Sequence, residues 1–488
     1  MWLGENTLRV NRLGTSSGVA SPIVEHSHSR EAVSTRERDG LDRGMTGVGG
    51  RDSMEEPGSL SLFGAVSLGT GVMIGAGIFA LTGQVAALSG DLFPVAFLVA
   101  AVVVAFSAYS YVKLSNAFPS SGGIAMFLKE AYGLGATTGV FALLMYVSMV
   151  ISESFVARTF GAYILRIVDL SPISFWVPSL GVALLVVAFG VNIAGNRAVE
   201  ASQGAMAIVK VGGLALFAIA GLWFITASNF TNGSQGTETF NSGGFMAGVA
   251  LAILAYKGFT TIANSGGEIV DPHRNTGRAI VISIAVSAIL YLTLAVMVAG
   301  NLSLAEIIKA QNFVLAEAAG PAFGDSGVWL TVALAVVATA SGVMASVFAA
   351  SRMLAMLTSM REVPHRHFRL PGTLRTHAMV YTVAFAIVLT LLFDLQRIAA
   401  LGAIFYLIMD VAIQWGVLKH LRSRIDVAPA IVVTAIVLDV VVLVAFLWVK
   451  ASEDLLVPFV SILGVGLIVI GERIFMRSHT RVDGTMEM

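Results

Sequence analysis

Between Leu60 and Ala87 the chain stays apolar for long enough to cross a lipid bilayer, and the middle of that run reads GTGVMIGAGIFALT over Gly69–Thr82. A run this apolar folds as one helix unless something interrupts it. Here Gly69, Gly71, Gly75 and Gly77 do so, and Gly75-Ala76-Gly77 has almost no side chain. Each glycine inside a helix costs about 1 kcal/mol relative to alanine. Glycines kept at membrane depth therefore serve either close helix packing, which leaves the backbone bonded, or a deliberate break. A break strands N–H groups on one half-helix and C=O groups on the other. Lipid satisfies neither, so a break survives only beside a cavity or a ligand. Such a site suits a zwitterion, with its carboxylate at the N–H end and its ammonium at the C=O end.

The remaining composition fits a membrane chain. The 488 residues are 56% hydrophobic and only 12% charged, with a mean hydropathy of +0.83, whereas soluble domains carry about 25% charged residues. An all-α polytopic membrane protein is expected, with the lipid bilayer as its surroundings. The net charge of +0 says little, because charges are segregated by loop. There is no cysteine, which removes disulfides, thiolate metal sites and sulfur redox chemistry. No HExxH or P-loop occurs, and no cluster of catalytic residues gathers at one depth, so neither an enzyme nor a cofactor is expected. Nothing points to a nucleic-acid partner.

Residues 1–58 are polar, lack an apolar period and read as a disordered cytoplasmic tail. They hold no signal-peptide core. His26 and His28 read as solvated, and Met54 is a candidate start. About twelve spans of ~20 residues or more follow, at 60–88, 92–115, 134–166, 173–194, 202–226, 245–270, 277–300, 326–352, 378–394, 397–419, 428–449 and 455–475. This divides the chain into a tail (1–58), a ten-helix core (59–425), two accessory helices (426–475) and a cytoplasmic C-terminal tail (476–488). With the first tail inside, the inner loops gather most of the basic residues, among them Lys113, Lys129, Arg197, Arg274, Arg278, Arg361, Arg366, Arg369, Arg375 and Lys419. The outer loops hold Arg166, Lys309, Arg397 and Lys450, and the sequons at Asn229, Asn232 and Asn301. Both termini are therefore expected in the cytoplasm of a cell-membrane protein.

The sixth span repeats the anomaly of the first. Ala247–Ile262 is apolar except at Tyr256-Lys257-Gly258-Phe259, where a charge and a glycine intrude. Interrupted helices in the first and sixth spans, with four ordinary ones between, point to an inverted-repeat transporter with a midplane site.

At this point the chain resembles the amino acid–polyamine–organocation superfamily of secondary transporters. The resemblance rests on GAGIF (Gly75–Phe79), PSSGGIAMFLKEAYG (Pro119–Gly133), AYKGF (Ala255–Phe259), GEIVDPHRNTGRAI (Gly267–Ile280) and ASRMLAML (Ala350–Leu357). It implies a five-plus-five inverted repeat with discontinuous first and sixth helices, two further helices, and an amino acid or related amine as substrate. Coupling to protons, to sodium or to exchange is implied as well. Carried over residue by residue, it gives Gly75, Ala76, Gly77 and Ile78 as the segment holding the substrate carboxylate. Val72, Met73, Tyr256 and Lys257 supply carbonyls toward the ammonium, and Gly258 and Phe259 complete the second motif. Leu254 stands where the family often has an aromatic gate, and Gly267 replaces the first of its usual acidic pair.

Ionisable groups at membrane depth are functional candidates by default. Lys210 lies about 12 Å deep in the fifth span, and in proton-coupled members of the family a lysine on this helix takes the place of sodium. The bland reading is a snorkelling lysine. Thr339 and Ser341 sit where sodium-coupled relatives place hydroxyl ligands, which makes sodium the weaker alternative. Lys257 either contacts the substrate carboxylate, repels cationic substrates, or partners Glu153 or Asp410. Those two acids are a buried pairing problem or further proton sites. Glu268 and Arg352, near inner helix ends, are expected to lock the inward gate. The Lys113–Gly133 segment reads as an amphipathic connector, and Tyr406 and Trp415 as packing or interfacial anchors. The expected function is proton-coupled amino acid symport. An exchanger, an ethanolamine or polyamine carrier, and a non-transporting membrane sensor remain as alternatives.

Overall fold

The computed structural model describes residues 58, 60–168, 175–225, 241–363 and 373–483. The tail with His26, His28 and Met54, the sequons at Asn229 and Asn232, Arg366, Arg369 and the last five residues lie outside these.

Among the described residues the chain is helical throughout, and its one extended pairing is a backbone bridge between Leu60 and Ile269. Eleven helical stretches among the described residues are long and apolar enough to cross a membrane. The first of them, Leu62–Ala117, folds back at the short turn Gly90–Leu92 and so holds two crossings, α1 (Leu62–Ser89) and α2 (Phe93–Ala117). Gly90 makes that turn at φ +59, a conformation that glycine adopts without strain. The expected twelve crossings are thus present.

Local signals set the ends. Ser61 caps α1 by accepting from the Gly64 amide at 3.1 Å. The connector expected before the third span contains a short helix, α3 (Gly123–Tyr132), and α4 (Ala136–Val168) follows as the third crossing. The fourth and fifth are α5 (Trp176–Ile193) and α6 (Asn196–Leu222). The sixth begins as α7 (Ser242–Tyr256), capped by Asn241, and resumes as α8 (Phe259–Ala263). The seventh, α9 (Pro272–Asn301), opens on a proline, whose missing N–H is harmless in a first turn. A short helix α10 (Leu304–Ala310) has a full Ser303/Glu306 capping box. The eighth crossing lies in α11 (Val314–Ser359), which bends at Gly324, φ +62. Then come α12 (Leu374–Leu392), α13 (Leu395–Gly416), α14 (Pro429–Glu453) and α15 (Leu456–Asp483). The helix α15 thus runs into the stretch expected to be a tail.

Burial grades from the centre outward. In the sixth crossing 89% of the most apolar window is buried, against 11% in α15. Phe459, Ile462, Leu467, Ile470 and Ile474 of α15 are exposed, as a lipid-facing surface requires.

One expectation is overturned. The first crossing is not discontinuous: α1 runs unbroken through Gly75-Ala76-Gly77. Its glycines serve packing instead. A Cβ at Gly75 would lie 3.0 Å from the Gly342 Cα, and one at Gly77 would lie 2.9 Å from the Ala255 Cβ and 2.7 Å from the Tyr291 hydroxyl. Backbone–backbone approach of this kind replaces the missing hydrophobic drive in lipid. The sixth crossing is interrupted as expected, but gently. Lys257 and Gly258 keep right-handed dihedrals, and hydrogen bonds around them shorten to the i−3 pattern, as in Thr260 N to Lys257 O at 3.0 Å.

Candidate functional site

The tightened turn of the sixth crossing touches α1 directly. A Cβ at Gly258 would lie 2.5 Å from the Met73 amide nitrogen and 3.0 Å from the Val72 carbonyl carbon. The structure therefore brings Val72, Met73 and Gly258 together. The amides of Gly75, Ala76, Gly77 and Ile78, expected to be free, lie within a continuous helix. The Tyr291 hydroxyl, from α9, donates to the carbonyls of both Met73 and Ala255, the latter at 3.2 Å. One hydroxyl thus pins the two helices at the point where they meet. Tyr256 stacks beside Tyr291 with ring centroids 5.0 Å apart, and its hydroxyl donates to the Phe97 carbonyl at 3.3 Å. Phe259 packs edge-on against Tyr111 at 5.1 Å. Tyr291 was not a sequence candidate; a tyrosine in an ordinary apolar span gives no signal.

Lys257 points to the third crossing. Its ammonium donates to the Ser148 carbonyl and hydroxyl, both at 2.6 Å, and lies 5.7 Å above the Tyr406 ring. Glu153 is fully buried, sits within electrostatic range of Lys257, and accepts from the Ser346 hydroxyl at 3.4 Å.

Lys210 does not snorkel. It is fully buried, and its ammonium donates to the Ser341 hydroxyl at 2.8 Å. Thr339 turns its hydroxyl back onto its own helix, to the Ala335 carbonyl at 2.6 Å.

Asp410 sits in a polar seam between α2 and α13. It accepts from the Ser107 hydroxyl at 2.5 Å and the Tyr111 hydroxyl at 2.7 Å, while the Gln414 amide donates to the Ser107 carbonyl at 3.0 Å. Across the seam, Asp439 of α14 lies within hydrogen-bonding reach of Asp410. Asp439 was not a sequence candidate, although an acid inside the apolar run 428–449 is the signal that should have marked it.

At the other end of the sixth crossing the two expected gate residues meet. The Arg352 guanidinium pairs with Glu268 and stacks on Phe348, 3.6 Å from the ring centroid, and both ions are buried. Beside them the Leu60 amide donates to the Glu268 carbonyl at 2.8 Å, and the Val270 amide to the Leu60 carbonyl at 2.9 Å. The connector helix joins the same cluster. Gly123 adopts φ +44, and the following Ile124 amide donates to Asn264 Oδ1 at 3.1 Å. Nearby, Glu362 accepts from the Gly135 amide at 2.9 Å, and burial pushes its carboxyl above the usual range.

The sequence that builds these helices is matched by known proteins. A model of the amino acid permease family covers residues 60–470. The chain belongs to the amino acid permease family. Among its relatives the permease is 30% identical to the inner membrane transport protein YbaT of Escherichia coli, over 81% of this chain and 92% of that protein. It is 27% identical to the branched-chain amino acid permease BcaP of Lactococcus lactis, over 48% of this chain and 54% of the other. It is 26% identical to the methylthioribose transporter of Bacillus subtilis, over 51% and 56%. The permease is a multi-pass membrane transporter and not an enzyme.

Proposed function

We propose that this permease is a proton-coupled symporter of an amino acid or a closely related small solute, seated in a cell membrane with both termini in the cytoplasm. The observation that carries the coupling is the buried Lys210 ammonium on Ser341 at 2.8 Å. Among the described residues its hydrogen-bond partner is one neutral hydroxyl, and cations without a counter-ion at that depth are costly. Such a lysine has a neutral form within reach, and Ser341 then exchanges one hydrogen-bond geometry for another. That gives α6 and α11 two arrangements that differ by one proton.

The substrate is assigned to the contact between α1 and the sixth crossing, lined by Val72, Met73, Tyr256, Lys257, Gly258 and Phe259. Those backbones touch in this conformation, so admitting a solute requires them to part, and Tyr291 releases carbonyl oxygens as they do. A carbonyl freed in this way is a partner for a substrate ammonium. The Glu268–Arg352 pair closes the inner end. Relatives named for branched-chain amino acids and for methylthioribose are consistent with a small polar cargo.

Purified protein in liposomes tests this. A panel of labelled amino acids and amines is offered with and without an inward proton gradient. Gradient-stimulated uptake that disappears in Lys210→Met supports the reading. Uptake indifferent to the gradient but dependent on internal counter-substrate would instead identify an exchanger, and binding without flux a sensor.

A further inference from the structure

The geometry points to a second proton-binding site, distinct from Lys210, in which Asp410 and Asp439 hold one proton between them and so fasten the eleventh crossing to the core. Asp410 and Asp439 are each 1% exposed, and their carboxyl groups are within hydrogen-bonding reach. Asp439 is ten residues into α14, roughly 15 Å from its start, which places it deep in the span. Two ionised carboxylates at that separation, away from water, repel strongly, and carboxyl pairs of this kind resolve the conflict by sharing a proton.

The surroundings say which oxygen carries it. Asp410 is served by donors from Ser107 and Tyr111 and suits the ionised form. Asp439 has no other hydrogen-bond partner among the described residues, and its Oδ2 has none at all. The proton therefore sits on Asp439 and is donated to Asp410. The titratable groups facing the pair are Tyr111 from α2 and Tyr406 from α13. The sixth crossing contributes Lys257 behind the Tyr406 ring, and α15 contributes no titratable group to the pair among the described residues. Loss of the proton to water leaves Asp410 with its hydroxyl donors and Asp439 with nothing but a facing negative charge. The eleventh crossing then loses the one polar tie to this seam found among the described residues.

The site stands on its own geometry and does not require that Lys210 couple transport. Infrared absorption of the full-length protein, carrying aspartate labelled with carbon-13 at its side-chain carboxyl, reads it without any transport assay. Surface aspartates are ionised at neutral pH, so the expected result is one protonated-carboxyl band that shifts with the label and is absent in Asp439→Asn. Should that variant fail to fold, Asp439→Glu keeps a carboxyl but takes it out of the labelled set, and the band should then no longer shift. A wild type without a label-sensitive band, or a band unchanged in these variants, overturns the proposal. So does a band abolished when sodium replaces choline at fixed ionic strength, which would make the pair a cation site.

Discussion

Lys257 Nζ donates to the carbonyl and the hydroxyl of the same residue, Ser148, at 2.6 Å each. The cation at the tightened turn of the sixth crossing is thus held by the third crossing and not by the first. Removing the hydroxyl in Ser148→Ala strips a charge-assisted bond and should cost about 1.5–3 kcal/mol. Lys257→Met removes the buried charge itself at similar volume, so its cost should be smaller. The double variant should recover most of the Ser148→Ala loss. Melting temperatures of the three variants in one detergent check this, and strictly additive losses would refute the pairing.

Lys210→Met should abolish stimulation by a proton gradient while leaving counterflow of the same solute largely intact. Ser341→Ala should shift the pH dependence of uptake without removing it, because the lysine remains. Both are read in proteoliposomes at a series of external pH values. Unchanged gradient stimulation in Lys210→Met rules the role out.

Glycine replacements should divide by place. At Gly258 a Cβ would meet the Met73 amide nitrogen at 2.5 Å, and backbone cannot yield as a side chain can. Overpacking of this kind costs about 1–3 kcal/mol, so Gly258→Ala should melt lower and transport poorly. At Gly212 a Cβ meets nothing within 4 Å, and the residue lies inside α6. Gly212→Ala should be neutral or stabilising by up to about 1 kcal/mol.

Arg352→Met should leave Glu268 buried without its cation, at a cost of about 3–5 kcal/mol. The same change should raise labelling of an introduced cysteine at Ser265 from the inner side. Exchanging the charges, Glu268→Arg with Arg352→Glu, should restore part of the stability and part of the protection. Labelling indifferent to all of these would remove the pair from the gate.

Glu362 gives a signed pH effect. Burial holds its carboxyl above the usual range, so the folded form keeps the proton to higher pH than the unfolded form. That contribution is fully present below the ordinary carboxylate pKa and is lost as pH rises through the raised value. The difference in melting temperature between wild type and Glu362→Gln should therefore move against the wild type from about pH 4.5 upward. A difference independent of pH would contradict the assignment.

Much of this was legible in the sequence. Twelve apolar runs gave the crossings, and Lys257-Gly258 marked the interruption in the sixth because a charge and a glycine both disfavour a buried helix interior. Glu268 and Arg352 were legible as partners-in-waiting at helix ends. Gly75-Ala76-Gly77 was not, because a break and a tight crossing ask for the same residues. The difference lies in Gly342, far along the chain, whose bare Cα lets α1 stay whole. Tyr291 and Asn264 were invisible for a related reason. Each matters through a backbone atom of a distant helix, and backbone atoms leave no pattern in composition.

The strap between Leu60 and the Glu268–Val270 stretch has such a consequence. It is woven wholly from peptide groups, so a scan that trims side chains one by one passes over it silently. Proline at Leu60 or at Val270, which takes away the amide hydrogen itself, cuts a thread of it. Mutational maps of this end of the sixth crossing will therefore draw attention to its charged pair and leave half of its fastening unmarked.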